Sequence, residues 1–206
     1  MEIGPAVELR PPAACWDCDA PPPPMTETPA PTDRTPEHPE AIRATGAALR
    51  TMLQAVASPV VVVTATAGGE TRGATIGSFA SVSLDPPLVS FNVTHGTQLH
   101  AALDVADAFT VHLLAEDQGD VATHYAQADL TPEEQAAGAP VETQETPGVG
   151  VRLGGTLGTL ACTVKTRIAA GDHSVVIGRV SVLLPGRDAG PLLYYRRSYR
   201  GIGGEV

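Results

Sequence analysis

Apolar residues recur along this chain in two rhythms. Leu49, Met52, Leu53 and Val56 stand at i, i+3, i+4 and i+7, the spacing of one stripe on an amphipathic helix of about four turns. Pro59 follows, and its ring disfavours helical backbone at Ser58. There the rhythm changes. Val60 to Val63 are consecutive β-branched residues and predict a strand. Gly68-Gly69 is a hairpin signal, with a second strand over Thr71 to Ile76. A third strand covers Phe79 to Leu84, with Phe79, Ser81 and Ser83 on one face and Ala80, Val82 and Leu84 on the other. Asp85-Pro86-Pro87 breaks it, and Leu88 to Val93 makes a fourth.

Gln98 to Val105 fits a short helix, Phe109 to Leu114 a fifth strand, and Asp117 to Ala126 another helix. Thr131 to Glu134 reads as a helix start, with a hydroxyl cap, proline at the first helical position and two acids in the first turn. Ala136 to Gly150 has no periodicity and is expected to be a mobile loop. Strand patterns return at Thr156 to Ile168, Ser174 to Leu184 and Pro191 to Tyr195, with Gly171-Asp172 as the turn between the first two. Seven or more strands with few helices predict a mostly antiparallel β-barrel.

The first 40 residues stand apart. Eleven of the 19 prolines fall within residues 1–44. The segment has no apolar rhythm with which to offset its ordering entropy, so residues 1–40 are expected to be a disordered, removable tail and residues 41–206 the folded domain. It lacks the basic and apolar regions of a secretory signal, and Met25 is an alternative translation start. Cys15 and Cys18 form a C-x-x-C within this stretch. No second Cys/His pair completes a zinc site and no strand–helix junction supports a redox dithiol, so the spacing reads as chance.

Charge narrows the function classes. The formal net charge is −10 and no basic run exists, which disfavours nucleic-acid binding. No apolar run approaches the roughly 20 residues of a membrane span. With three cysteines in 206 residues, the expectation is a reduced, cytoplasmic protein. There is no H-E-x-x-H, G-x-S-x-G or phosphate-binding P-loop, and the six histidines pair at no ligand spacing beyond a loose His95 and His100. His112 and His124 are expected at strand and helix surfaces. Residue chemistry alone reaches a small β-barrel able to bind a ligand.

The stretch from Gly73 to Val93, containing Ser-Val-Ser-Leu-Asp-Pro-Pro, resembles the flavin reductase family. Four further segments agree in order: Val60 to Thr64; Thr97 through Phe109 to Leu114; Gly171-Asp172-His173 with Gly178-Arg179-Val180; and Pro191 through Arg200. The resemblance implies a mostly β FMN-binding split β-barrel, Greek-key-like and antiparallel, with a few short helices. It implies hydride transfer from NADH or NADPH to FMN or FAD, a homodimer, and a partner flavin-dependent monooxygenase that receives reduced flavin. A flavin-binding carrier or sensor without turnover, and a degenerate barrel serving as a structural dimer, are the alternatives.

The resemblance also implies a site. Thr75, Ile76, Gly77, Ser78 and Ala80 would run beside the isoalloxazine, where small residues let backbone approach a ring closely. Ser81 and Ser83 would hold the exit of that strand. Thr94, His95, Thr97 and Gln98 would face the flavin phosphate. His95 and Gln98 replace the usual basic residues and Leu99 a second hydroxyl, implying weak binding of a diffusible flavin unless Lys165, Arg167 or Arg200 compensates. His173 would order the nicotinamide. By residue chemistry, Tyr194, Tyr195 and Tyr199 offer ring faces to a flavin or adenine, and Arg196, Arg197 and Arg200 offer cations to a pyrophosphate, or else the group forms a dimer contact. His112 occupies a slot where asparagine is common in the family.

Overall fold

The computed structural model describes residues 41–203, so the expectations for residues 1–40, including Cys15, Cys18 and Met25, lie outside the described residues. Helix α1 (Gly46–Leu53) opens the folded part, with the Thr45 hydroxyl accepting from Ala48 N. It spans eight residues, shorter than the apolar stripe predicts. Beyond it, Gln54, Ala55 and Val56 donate to carbonyls three residues back, the tightening that ends a helix.

A seven-stranded antiparallel sheet forms the body. It comprises β2 (Val61–Ala67), β3 (Glu70–Ile76), β4 (Ala80–Leu84), β5 (Pro87–Thr94), β6 (Ala108–Leu113), β9 (Gly158–Ala170) and β10 (His173–Pro185). Their spatial order is β3-β2-β6-β9-β10-β5-β4. Val61, Val63, Phe91, Phe109, Val111 and Val176 converge with Leu99 and Leu103 of α2 (Gln98–Val105) on one buried cluster. Four strands of one sheet reach a common centre only if the sheet curls. Its terminal strands β3 and β4 share no ladder, so the barrel is split rather than closed. Two irregularities in the β9–β10 ladder, at Ile177/Gly178 and Val180/Val182, supply local bending. Gly178 is required there, because a Cβ would stand 2.2 Å from the Phe109 ring.

A second core lies on the other face. Val60, Val62, Leu114 and Leu153 meet Val121, Ala122 and Tyr125 of α3 (Gly119–Tyr125). Helix α4 (Pro132–Ala137) follows, with a full capping box between Thr131 and Glu134. Strands β1 (Ser58–Pro59), β11 (Leu193–Tyr195) and β12 (Ser198–Arg200) form a small sheet.

Three expectations are corrected. Residues Ala136 to Gly150 are not a mobile loop. They finish α4 and enter a hairpin of β7 (Thr143–Thr146) and β8 (Gly150–Leu153), turning at Gly148 with φ +74°. Three of the four β7 residues are exposed, so no apolar alternation marks the strand. In β4 a register shift between Ser81 and Ser83 interrupts the two-face alternation. His112 is not at a surface but fully buried. It pairs across the sheet with Val62 and Thr159, and its Nε2 lies 3.3 Å from Thr64 Oγ1.

Candidate functional site

Where the sheet splits, the end of β3 and the end of β5 border a cleft of about 440 Å³. Gly73 to Ser78 form one wall, Asn92 to Thr94 with Thr97 to Leu99 the second, and Tyr125 to Ala128 with Gln135 the third. His173 closes one end. The cleft therefore collects Thr75, Ile76, Gly77, Ser78, Thr94, Thr97, Gln98 and His173 from the residues singled out in the sequence.

Most of their polar side-chain atoms tie the walls together. Thr75 Oγ1 donates to Ala122 O at 2.7 Å, joining β3 to α3. Ser78 Oγ accepts from Asn92 N at 2.9 Å, joining the β3 exit to β5. Thr97 caps α2, accepting from His100 N and donating to Thr94 O. Gln98 Nε2 reaches Ala128 O at 3.4 Å. Hydroxyl and amide types thus mark this region because they knit it, and much of what they leave facing the cleft is backbone.

Other expected residues fall elsewhere. Ala80, Ser81 and Ser83 lie on β4, outside the cleft lining. Tyr199 packs edge-on against Tyr194 at 5.4 Å and joins the second core. Desolvation, with Tyr194 beside it, raises its phenol pKa. His95 turns aside: its Nε2 lies 3.0 Å from Ser174 Oγ, which His100 Nε2 approaches at 3.3 Å. Arg167 donates to Leu103 O and Ala106 O, both at 2.6 Å, and so caps the C-terminus of α2. Leu99 is buried in the first core. Among the described residues no Lys, Arg, Asp or Glu lines the cleft.

His173 sits at the start of β10, directly opposite Thr94. Its Nδ1 is 2.7 Å from Asp172 Oδ1 and its Nε2 3.0 Å from Thr94 Oγ1. The carboxylate fixes the proton on Nδ1, leaving Nε2 to accept from the threonine while the ring is neutral. The hydrogen bond from His173 is the main reason that the exposed Asp172 carboxyl lies below its ordinary pKa. His173 also borders a second concavity, about 720 Å³, between α1 and the β11–β12 turn. Tyr194, Arg196 and Arg197 line it, the two arginines at φ +48° and +63°.

Sequence reasoning missed the third wall. Tyr125 is buried, and desolvation raises its pKa. Gln135 reaches 62 residues back to Gly73. The available signal was the Thr131 capping box, which fixes a short helix whose buried member is a glutamine.

Comparison with known proteins bears on this cleft. The profile of the flavin reductase like domain matches residues 53–203. The chain is 37% identical over 156 residues to the reductase component of 4-hydroxyphenylacetate 3-monooxygenase from Thermus thermophilus, covering 74% of this chain and 94% of that one. It is 37% identical over 145 residues to the NADH:FMN oxidoreductase of Rhodococcus qingshengii, covering 68% and 73%. Among solved structures, the flavin reductase component of a bacterial two-component tryptophan halogenase superposes with a TM-score of 0.71 at 29% identity, over 78% of this chain and 100% of that one. Nitrilotriacetate monooxygenase component B from Mycobacterium thermoresistibile gives 0.68 at 31% identity, over 76% and 86%.

Proposed function

The chain belongs to the flavin reductase family, and from that premise we propose that it is an NADH:flavin oxidoreductase that supplies reduced FMN to a separate monooxygenase. The observation that carries this reading is the open cleft at the split of the barrel, walled by a β3 strand end and closed by the Asp172–His173–Thr94 chain. When FMN and NADH are bound, the chemistry is hydride transfer from the nicotinamide C4 to the flavin N5. The work of this chain is to hold the two rings face to face at about 3–3.5 Å.

The residues of the cleft fit a flavin. Gly77 and Ser78, small residues at the exit of β3, leave room for a flat ring against backbone. Among the described residues the lining holds no Lys, Arg, Asp or Glu, so the phosphate meets hydroxyls, amides and backbone. That supports flavin as a diffusible substrate, the form a donor to a second enzyme requires. His173 is our candidate beside the nicotinamide; in support, among the described residues it borders both the cleft and the second concavity. The arginines there face the anionic remainder of the dinucleotide. We place the active domain in residues 41–206, in the reduced cytoplasm, where the buried free thiol of Cys162 is expected.

Dimerisation is part of the proposal. No α1 residue is buried within the chain, and Leu49, Met52 and Leu53 are each more than half exposed. An apolar helix face of this kind is covered by a second copy in the functional form.

The test is His173→Ala. Losing one neutral hydrogen bond lowers kcat/KM for NADH by a few-fold to about tenfold and leaves the FMN dissociation constant unchanged. A folded variant with wild-type constants for both substrates removes His173 from the site.

A further inference from the structure

Gln135 is buried on the six-residue helix α4, yet its side chain serves neither its own helix nor solvent. Its Oε1 accepts from Gly73 N at 2.8 Å and its Nε2 donates to Gly73 O at 3.0 Å. A carboxamide bonded to both backbone groups of one residue does what a neighbouring strand does. Strand β3 is an edge of the sheet, with β2 on its other side and Gly73 opposite Thr64. Both polar backbone groups of Gly73 therefore point out of the open edge. In an antiparallel ladder that orientation repeats every second residue. The β2–β3 register is continuous through Thr75 opposite Val62, so Thr75 N–H and C=O point out of the same edge. Thr75 lines the cleft.

The helix that carries Gln135 is itself anchored. Thr131 and Glu134 form the capping box, and Gln135 O is 2.8 Å from His124 Nε2 on α3. Gly73 lies against the Tyr125 ring, so near that a Cβ built on it would stand 2.8 Å from that ring. The outward-facing pair at Gly73 is thus occupied by protein, and the next along β3, at Thr75, is presented to the cleft at a height set by Gln135.

We propose that Gln135 is a positioning residue for flavin: its carboxamide stands in for the missing neighbour strand at Gly73 and thereby holds the outward N–H and C=O of Thr75 for the adjacent donor and acceptor of the flavin pyrimidine edge. This rests on the flavin reductase reading. It assigns the recognised class, a cyclic imide with its N–H beside a C=O, to one residue's backbone. It also explains why the Thr75 hydroxyl is turned away to Ala122 O.

The experiment measures FMN dissociation by flavin fluorescence for wild type, Gln135→Met and Gln135→Glu, from about pH 5 to pH 8. A neutral carboxyl carries one donor and one acceptor, as the carboxamide does. An ionised one carries acceptors only, and turns them on Gly73 O. Gln135→Met weakens FMN roughly three- to tenfold at every pH. Burial beside the Gly73 carbonyl lifts an introduced carboxyl above the ordinary glutamate range, so Gln135→Glu binds within about twofold of wild type at the acid end and weakens by at least the methionine factor once ionised. His124 and Tyr125 on α3 and Glu134 on α4 neighbour the position in all three proteins, so a difference between profiles belongs to position 135. The KM for NADH at saturating FMN stays unchanged. A folded Gln135→Met with wild-type affinity, or a Gln135→Glu profile parallel to wild type, overturns the proposal.

Amide exchange on the wild-type protein decides the matter if the variants do not fold. The Gly73 amide is protected before FMN is added, and the Thr75 amide becomes protected only on its addition. A Thr75 amide that FMN does not protect refutes the assignment. If the wild type binds no FMN, the flavin reading itself has failed, an outcome distinct from any of these.

Discussion

Burial holds the His112 imidazole neutral, and the stability of the fold should record this as acid is added. The ring is fully buried between β2 and β9, with Nε2 near Thr64 and, among the described residues, no hydrogen-bond partner on Nδ1. Desolvation is the main cause of a pKa lowered from 6.5 to about 3, and the Arg152 charge adds to it. The unfolded chain therefore takes up a proton as pH falls below 6.5, while the folded chain does not until about pH 3. Stability that is full above this window is lost progressively as pH falls through it. Linkage at 1.36 kcal/mol per pKa unit gives a loss of about 2 kcal/mol between pH 7 and pH 5. The assay is urea unfolding at both pH values for wild type and His112→Asn, a polar side chain that does not titrate. Subtracting the two differences cancels the carboxylates common to both proteins. A double difference near 2 kcal/mol is expected. Parallel pH dependence in the two proteins refutes the reasoning.

Three other outcomes follow from specific contacts. Gly178→Ala drives a methyl into Phe109 and destabilises by about 1–3 kcal/mol, read as a lower urea midpoint without a change in slope. Leu53→Glu charges the exposed stripe of α1 and shifts light scattering from dimer to monomer; a wild type that is already monomeric at assay concentrations rejects that interface. With no Lys or Arg in the described cleft lining, riboflavin should be reduced with a kcat/KM within about threefold of FMN, and FMN affinity should change little with salt. A steep salt dependence contradicts this.

Much of the fold was legible because burial on one side of a strand leaves a mark in sequence. Val60 to Val63, Leu88 to Val93 and the Gly68-Gly69 turn each carry local chemistry that admits few alternatives, and each is found in place. Strand β7 was not legible, since its burial is slight and its pairing is set by β8. The burial of His112 was hidden for a related reason, because nothing local distinguishes a buried polar residue from an exposed one. In the cleft, the β3 exit and the Thr94 to Gln98 segment stood out through small and hydroxyl residues. The wall from Tyr125 to Gln135 did not, because its relation to β3 is made by contacts far apart in sequence, 47 residues for Thr75 to Ala122 and 62 for Gly73 to Gln135. The hydroxyl residues Thr75, Ser78 and Thr97 all line this one cleft, where the protein uses their side chains to join the walls.

The central claim is that this cleft passes hydride from NADH to a diffusible flavin. The most direct measurement follows the nicotinamide absorbance as purified protein is mixed with NADH and varied FMN, without any monooxygenase. Saturable NADH oxidation in FMN, at turnover well above protein concentration and depressed in His173→Ala, is the predicted result. Flavin bound tightly with no NADH oxidised beyond a single equivalent contradicts it.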